Sequence, residues 1–215
     1  MSVFYLKDED WNLFLSAGAF LTLVGSIVEN YPREAGGLLV GTIGKDWIDG
    51  KYQPTITVTT VFPSITAKSK RNSWERRIEN IERVEGVVRA FEMQILGEYH
   101  SHPEGSAELT EEDEDYIEDQ CDDRIYREFI IDEELSHISW IEIVGRISKK
   151  DYQREKGEES FWQTTPGGCK LRGTVQIGTD YGFDITLSSW AYFKSKEEYY
   201  ELPVYSEISS SYEPS

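Results

Sequence analysis

The spacing of apolar residues along the chain changes from one segment to the next, and each change predicts a new element of secondary structure. Residues 13 to 28 are largely apolar, which predicts a mostly buried first helix that ends before Pro32. Runs rich in β-branched and aromatic residues are typical of strands. The strands predicted in this way cover residues 37–43, 55–62, 94–101, 128–131 and 138–147.

Three further segments have distinct patterns. Residues 68 to 92 begin with a basic stretch and continue as a predicted charged helix with one apolar stripe. Residues 111 to 122 predict a strongly acidic helix. Residues 171–177 and 183–192 predict a hairpin, which either extends the main sheet or forms a separate lobe.

Length and composition narrow the possible functions. A chain of 215 residues is long enough for one domain with a proper core. Its formal net charge of -18 argues against nucleic acid or an anionic membrane as a partner and favours substrate segments that contain lysine or arginine. The two cysteines give no disulfide framework, which suits a reducing cytoplasm. The apolar run before residue 28 is too short to span a bilayer and follows acidic residues, so no signal peptide is predicted.

The most informative segment is Gly97-Glu98-Tyr99-His100-Ser101-His102-Pro103, which contains two of the three histidines. On a strand, side chains two residues apart point to the same face, so His100 and His102 are expected to project together. Thr110 is a predicted helix N-cap, and Asp113 lies in the first turn of the helix that follows. Two imidazoles and one carboxylate can bind one zinc ion and leave its fourth position to water, which is typical of a catalytic site.

These residues resemble the motif of the JAMM (MPN+, Mov34/PAD-1, JAB-type) zinc metalloproteases, in particular their prokaryotic members. That motif has an upstream glutamate, then His-x-His-Pro, then Ser-x-x-Asp. Here Glu34 precedes the segment Gly36-Gly37-Leu38-Leu39-Val40, and Thr110 stands where the family has serine. The resemblance covers roughly residues 8 to 145.

The resemblance implies a fold and a division of the chain. The expected fold class is α+β: an MPN/JAB core, three-layer and α/β/α-like, with a mixed curved sheet flanked by helices and a C-terminal β-hairpin extension. The expected divisions are a catalytic core at residues 1–148, a β extension or small lobe at 149–204, and a disordered tail at 205–215. The helix in the 68–92 insert either contributes to a substrate groove, as in the family, or is a surface helix that packs one apolar stripe.

The resemblance also implies a mechanism. His100, His102 and Asp113 would bind one zinc ion per chain, and the zinc-bound water would attack the scissile carbonyl. Glu34 would be the general base and acid, and the hydroxyl of Thr110 could donate a hydrogen bond to the oxyanion. The expected reaction is hydrolysis of an isopeptide or peptide bond after the C-terminal tail of a ubiquitin-like protein. Conjugation-system proteins are possible further partners in the cytoplasm.

Two alternatives stay open. One is a non-catalytic interaction module of the same fold, which would bind no metal. The other is a zinc hydrolase of small amides or sulfur-carrier conjugates, which would not need a ubiquitin-like body in its substrate. A groove beside the metal, long enough for an extended peptide, would favour the protease over both.

Overall fold

One mixed sheet organises the structure, which is a computed structural model. It describes residues 11–48, 50–64, 68–70, 73–75, 78–91, 93–122, 138–151, 162–165, 168–178 and 180–209. The ten strands of the sheet follow the order β12-β1-β3-β2-β6-β7-β10-β9-β8, with β11 paired to β10. The described strands are β1 Asn12–Leu15, β2 Gly36–Ile48, β3 Lys51–Pro63, β4 Lys68–Lys70, β5 Ser73–Glu75, β6 Gln94–Pro103, β7 Trp140–Asp151, β8 Trp162–Thr164, β9 Lys170–Ile177, β10 Tyr181–Phe193, β11 Glu198–Leu202 and β12 Val204–Ser206.

Helices cover both faces of this sheet. α1 (Ala17–Asn30) packs on the larger face, where Leu39 and Leu96 belong to the main core. α2 (Ile78–Ala90) covers a smaller apolar cluster around Leu38 on the other face. α3 (Glu111–Asp122) covers a third cluster, whose largest member is the fully buried Trp140. Because neighbouring strand residues point to opposite faces, this is the predicted three-layer α+β fold.

The strands after residue 149 continue the main sheet. β10 pairs antiparallel with β7 over its whole length, and β9 and β10 form the predicted hairpin. β12 returns to the opposite end of the sheet and pairs in parallel with β1. The hairpin therefore extends the core sheet, which was one of the two possibilities that the sequence left open.

Three boundary predictions are wrong. Residues 12–15 are a strand and not the start of the first helix, because Leu13 and Leu15 are buried between β3 and β12; the helix begins only after Ser16. The charged helix predicted after the basic stretch begins later than expected, because residues 73–75 pair with residues 68–70 as a hairpin and α2 starts only at Ile78. Disorder from residue 205 is wrong for residues 205–209, because residues 205 and 206 lie in β12 and residues 207–209 form the turn after it.

Some predictions fall outside the described residues, namely the strand at 128–131 and the tail from 210 to 215. In the part of the chain that the structure describes, no helix has both the length and the apolar character needed to cross a membrane.

Candidate active site

The two motif histidines come from β6, which lies in the middle of the sheet between β2 and β7. Gly97 lets this strand approach β7 closely. Its φ is 150°, and a Cβ atom at this position would lie 1.9 Å from the carbonyl oxygen of Ile141. A side chain is therefore excluded just where β6 changes its register with β2. After this irregularity, His100 and His102 project on the same face of the sheet.

The hydrogen-bond partners of the two imidazoles determine which ring nitrogens carry hydrogen. Nδ1 of His100 lies 2.8 Å from Oε1 of Glu142, and Nδ1 of His102 lies 3.0 Å from the carbonyl oxygen of Ser106. Both partners are acceptors, so each Nδ1 donates its hydrogen. The Nε2 atoms lie 3.0 Å apart and are left to bind a metal.

Asp113 reaches the histidines from the first turn of α3. Its Oδ1 lies 3.3 Å from Nε2 of His100, and its Oδ2 lies 3.5 Å from Nε2 of His102. The predicted capping box forms: the amide of Thr110 donates to Oδ2 over 2.8 Å, and Thr110 Oγ1 accepts from the amide of Asp113 over 3.3 Å. The cap therefore orients the carboxylate toward the histidines.

The hydroxyl of Thr110 also donates to Oδ2 of Asp113, over 2.7 Å. A hydroxyl group has a single hydrogen to donate. In this arrangement that hydrogen bonds to Asp113, and donation to an oxyanion would require the hydroxyl to turn away from it. The oxyanion role of Thr110 thus stays a prediction. The observed hydrogen bonds give its side chain another role, which is to orient the carboxylate of Asp113.

The donor set fits a tetrahedral zinc ion. Bonds of about 2.0–2.1 Å to nitrogen and oxygen place tetrahedral ligand atoms about 3.3 Å apart. The two Nε2 atoms lie 3.0 Å apart, and the carboxylate of Asp113 lies 3.3 Å from one through Oδ1 and 3.5 Å from the other through Oδ2, close to that value. One ligand atom from each residue lies within 4.8 Å of the others. Three protein ligands leave one position of the ion for water or substrate.

Glu142, which the sequence did not single out, contacts one of the candidate metal ligands. It is 3% exposed on β7, and its Oε2 accepts a hydrogen bond of 2.7 Å from the indole nitrogen of Trp140. Oε1 accepts from His100, so one buried carboxylate connects the indole to the metal ligand. A signal was present in the sequence: a glutamate within the otherwise apolar stretch Trp140-Ile141-Glu142-Ile143 is unexpected unless it has a partner.

Glu34 is half-buried in the segment that leads from α1 to β2, and it lines the same cleft as the three candidate ligands. Burial raises the pKa of its carboxyl group, and the negative charges of Asp113 and Glu112 raise it further. The attraction of His100 opposes these effects, and the resulting pKa is about 7. A carboxyl group with this pKa can both accept and release a proton near neutral pH.

The pKa values of the three candidate metal ligands are shifted because their side chains are buried close together. Burial lowers the pKa of His100, but its hydrogen bonds to Asp113 and Glu142 outweigh burial and raise it to about 10. Burial and the nearby His100 lower the pKa of His102. For Asp113, burial is outweighed by the hydrogen bonds from His100 and Thr110, which hold its pKa well below the usual value. At neutral pH and without metal, His100 therefore carries a proton on both ring nitrogens, His102 is neutral, and Asp113 is ionised.

A cleft of about 460 Å³ opens at these residues, a volume within the usual range of ligand sites. The loop between β6 and α3 forms part of its wall and is fixed to β10, because the Ser188 hydroxyl donates to the carbonyl of Ala107. Five of the thirteen lining residues are acidic, and the part of the chain that the structure describes places no lysine or arginine there. The acidic lining residues are Glu34, Glu98, Glu112, Asp113 and Glu142.

The structure thus brings together all five residues that the sequence analysis singled out: His100, His102 and Asp113 as one ligand set, with Glu34 and Thr110 on the same cleft. Glu142 adds a buried support for His100.

Comparison with known proteins identifies the family. A family model described as prokaryotic homologs of the JAB domain matches residues 16–162, which is more than half of the chain. Among solved structures, the solution structure of protein DSY2949 from Desulfitobacterium hafniense is similar, with a TM-score of 0.46 and 15% sequence identity. That similarity covers 91% of this chain and 92% of the other. A comparison with curated proteins finds no match.

Proposed function

This chain belongs to the prokaryotic JAB-domain family, and we propose that it is a zinc-dependent isopeptidase or peptidase that cleaves after the C-terminal tail of a ubiquitin-like protein. The observation that carries the proposal is the convergence of three metal ligands and Glu34 on one cleft. The JAB-domain family includes zinc metalloisopeptidases. A site with three protein ligands and an adjacent carboxyl group of raised pKa suits hydrolysis.

Each site residue has a defined task in this proposal. His100, His102 and Asp113 would hold the ion, which when bound supplies Lewis acidity and lowers the pKa of water to about 7. Glu34 takes a proton from the attacking water and passes it to the leaving nitrogen. Proton transfer by a positioned group contributes roughly 10²- to 10⁴-fold to a rate, and its pKa should lie near the working pH. In the metal-free site the pKa of Glu34 is about 7, which lies in that range.

The charge of the cleft supports a basic leaving group. An isopeptide bond releases the side-chain amine of a lysine, and we propose that the substrate segment around that lysine is cationic. Carboxylates around the cleft and a net charge of -18 attract such segments and repel acidic ones. We also propose a cytoplasmic location and partners from a conjugation system; the two free cysteines support the location, since disulfides are rare in that compartment.

The first experiment is elemental analysis of zinc in the unmodified protein and in His102→Ala, both purified without chelators. About one zinc per chain in the first and none in the second is the expected result. Absence of zinc from both, even after zinc is added, would contradict the hydrolase and support an interaction module.

The second experiment measures cleavage of a ubiquitin-like protein fused through its C-terminal tail to a peptide or to a lysine side chain. Glu34→Gln should keep its zinc and lose at least about 100-fold in kcat, since the general base is removed. Glu111→Gln is the matched control, because the exposed Glu111 carboxylate lies on α3 outside the cleft lining. Equal activity on small amides that lack the ubiquitin-like body would instead favour a small-molecule hydrolase.

A further inference from the structure

Ser101 stands between the two metal-binding histidines, but its side chain points to the opposite face of the sheet and is fully buried. There it exchanges two hydrogen bonds with Ala35. The amide of Ser101 donates to the carbonyl of Ala35 over 3.0 Å, and the amide of Ala35 donates to Oγ of Ser101 over 2.9 Å. The second bond uses a side chain where a regular sheet would use a backbone carbonyl. It therefore depends on the identity of residue 101.

The partner of Ser101 is the immediate neighbour of Glu34. Ala35 is 2% exposed, so water cannot replace the serine as an acceptor for its amide. An unsatisfied buried amide costs roughly 1–3 kcal/mol, enough to favour a shift of the segment. The other end of this segment has its own attachments: the hydroxyl of Tyr31 donates to Oε1 of the exposed Glu104 over 2.9 Å, and its ring packs on Phe183. Ser101 is thus a buried anchor at the end of the segment that adjoins Glu34.

We propose that Ser101 is a positioning residue: it fixes the backbone beside Glu34 to the strand that carries His100 and His102. The inference rests on the proposed function of Glu34. One strand residue then sets both halves of the site, because its neighbours on β6 supply the metal ligands and its hydroxyl holds the segment of the general base. Displacement of a reacting group by about 1 Å can cost about 100-fold in rate.

The test compares Ser101→Ala with Ser189→Ala, which removes another fully buried hydroxyl. Ser189 donates to the carbonyl of Leu202 over 3.0 Å, on strands away from Glu34. For each variant we would measure hydrogen exchange of the Ala35 amide by NMR, zinc per chain, and kcat and KM on the fusion substrate. In Ser101→Ala the amide of Ala35 should exchange its hydrogen faster, and the variant should keep its zinc. Its kcat should fall roughly tenfold or more, while its KM changes less than about twofold. Ser189→Ala should leave Ala35 exchange and kcat unchanged.

Unchanged exchange at Ala35, an equal loss of kcat in both variants, or loss of zinc from Ser101→Ala would overturn the proposal. If Ser101→Ala does not fold, Ser101→Cys replaces it in the test, because cysteine keeps most of the bulk of serine and is a weaker hydrogen-bond acceptor. The same measurements on Ser101→Cys then test the proposal. An unmodified protein that binds zinc but cleaves no substrate would contradict the proposed function alone. The exchange rate of Ala35 would then still show whether Ser101 anchors the segment.

Discussion

Glu142 and His100 form a buried pair on neighbouring parallel strands, with Oε1 of the carboxylate 2.8 Å from Nδ1 of the imidazole. The second oxygen of Glu142 is held at 2.7 Å by the indole of Trp140. This contact orients the histidine, fixes its tautomer and increases the basicity of Nε2, which is the atom that faces the metal site.

Removal of the Glu142 carboxylate should therefore weaken zinc binding. Supporting partners of this kind typically contribute 10- to 100-fold to metal affinity. We expect Glu142→Leu to lose about 100-fold and Glu142→Gln, whose amide oxygen can still accept, about tenfold in chelator competition. Glu98→Gln is the matched control. Glu98 is also a buried carboxylate, it stands opposite residue 142 in the register of β6 and β7, and it accepts a hydrogen bond from the hydroxyl of Tyr116. Equal losses in Glu98→Gln and Glu142→Gln would contradict a specific role for Glu142.

Zinc binding should become tighter as the pH rises from about 6 to 8. His100 has a pKa of about 10 without metal and must release its proton before Nε2 can bind zinc, whereas the pKa of His102 is lowered. One displaced proton corresponds to about a tenfold gain in affinity per pH unit. Glu142→Gln should reduce this slope, because loss of the carboxylate lowers the pKa of His100. Chelator competition at several pH values gives both slopes, and identical slopes would contradict this prediction.

The residues of this site were easier to predict from sequence than their supports. His100, His102 and Asp113 follow from short spacing on one strand and one helix cap, which are local features. Glu142 lies 42 residues beyond His100, and its role depends on the parallel pairing of β6 with β7. No repeating pattern of residues in the sequence indicates that these two strands pair. A glutamate within an apolar strand indicates that it has a buried partner, but only the structure identifies that partner as His100.

The same distinction explains the errors in the fold. Residues 13–15 have the apolar composition of the helix that follows them, and single-sequence patterns distinguish short buried strands from helices poorly. What decides their structure is pairing with β3 and with β12, which lies at the other end of the chain. The hairpin of β9 and β10 was predictable because both of its strands and their turn are local.

Glu34→Gln should change how stability depends on pH. The pKa of Glu34 rises from 4.5 to about 7 on folding, so between these values the folded protein retains a proton that the unfolded chain has released. Stability therefore falls as the pH rises through this window and stops falling above about 7. Glutamine has no proton to lose at this position and avoids that loss.

Thermal unfolding of the metal-free proteins checks this prediction. The melting temperatures of Glu34→Gln and the unmodified protein should be close near pH 4.5, diverge in favour of Glu34→Gln up to about pH 7, and then stay a constant distance apart. Glu111→Gln, which changes an exposed carboxylate, should show no such window. A difference that does not vary with pH would mean that the pKa of Glu34 is not raised by folding.

Thr110→Ala separates the two roles of the cap. The variant loses the hydroxyl that donates to Asp113 over 2.7 Å, while the backbone amide of residue 110 can still donate to the same oxygen. Loss of an N-cap side chain costs about 1 kcal/mol of unfolding free energy. A less well oriented Asp113 should bind zinc about tenfold more weakly.

The rate at saturating zinc tests the second role of the Thr110 hydroxyl. If the hydroxyl only orients Asp113, kcat at saturating zinc should fall less than about tenfold in Thr110→Ala, and Thr110→Ser should restore stability, affinity and rate. A loss of 100-fold or more in kcat at saturating zinc is the magnitude expected for a missing oxyanion donor. That result would show that the hydroxyl turns from Asp113 to the substrate during the reaction.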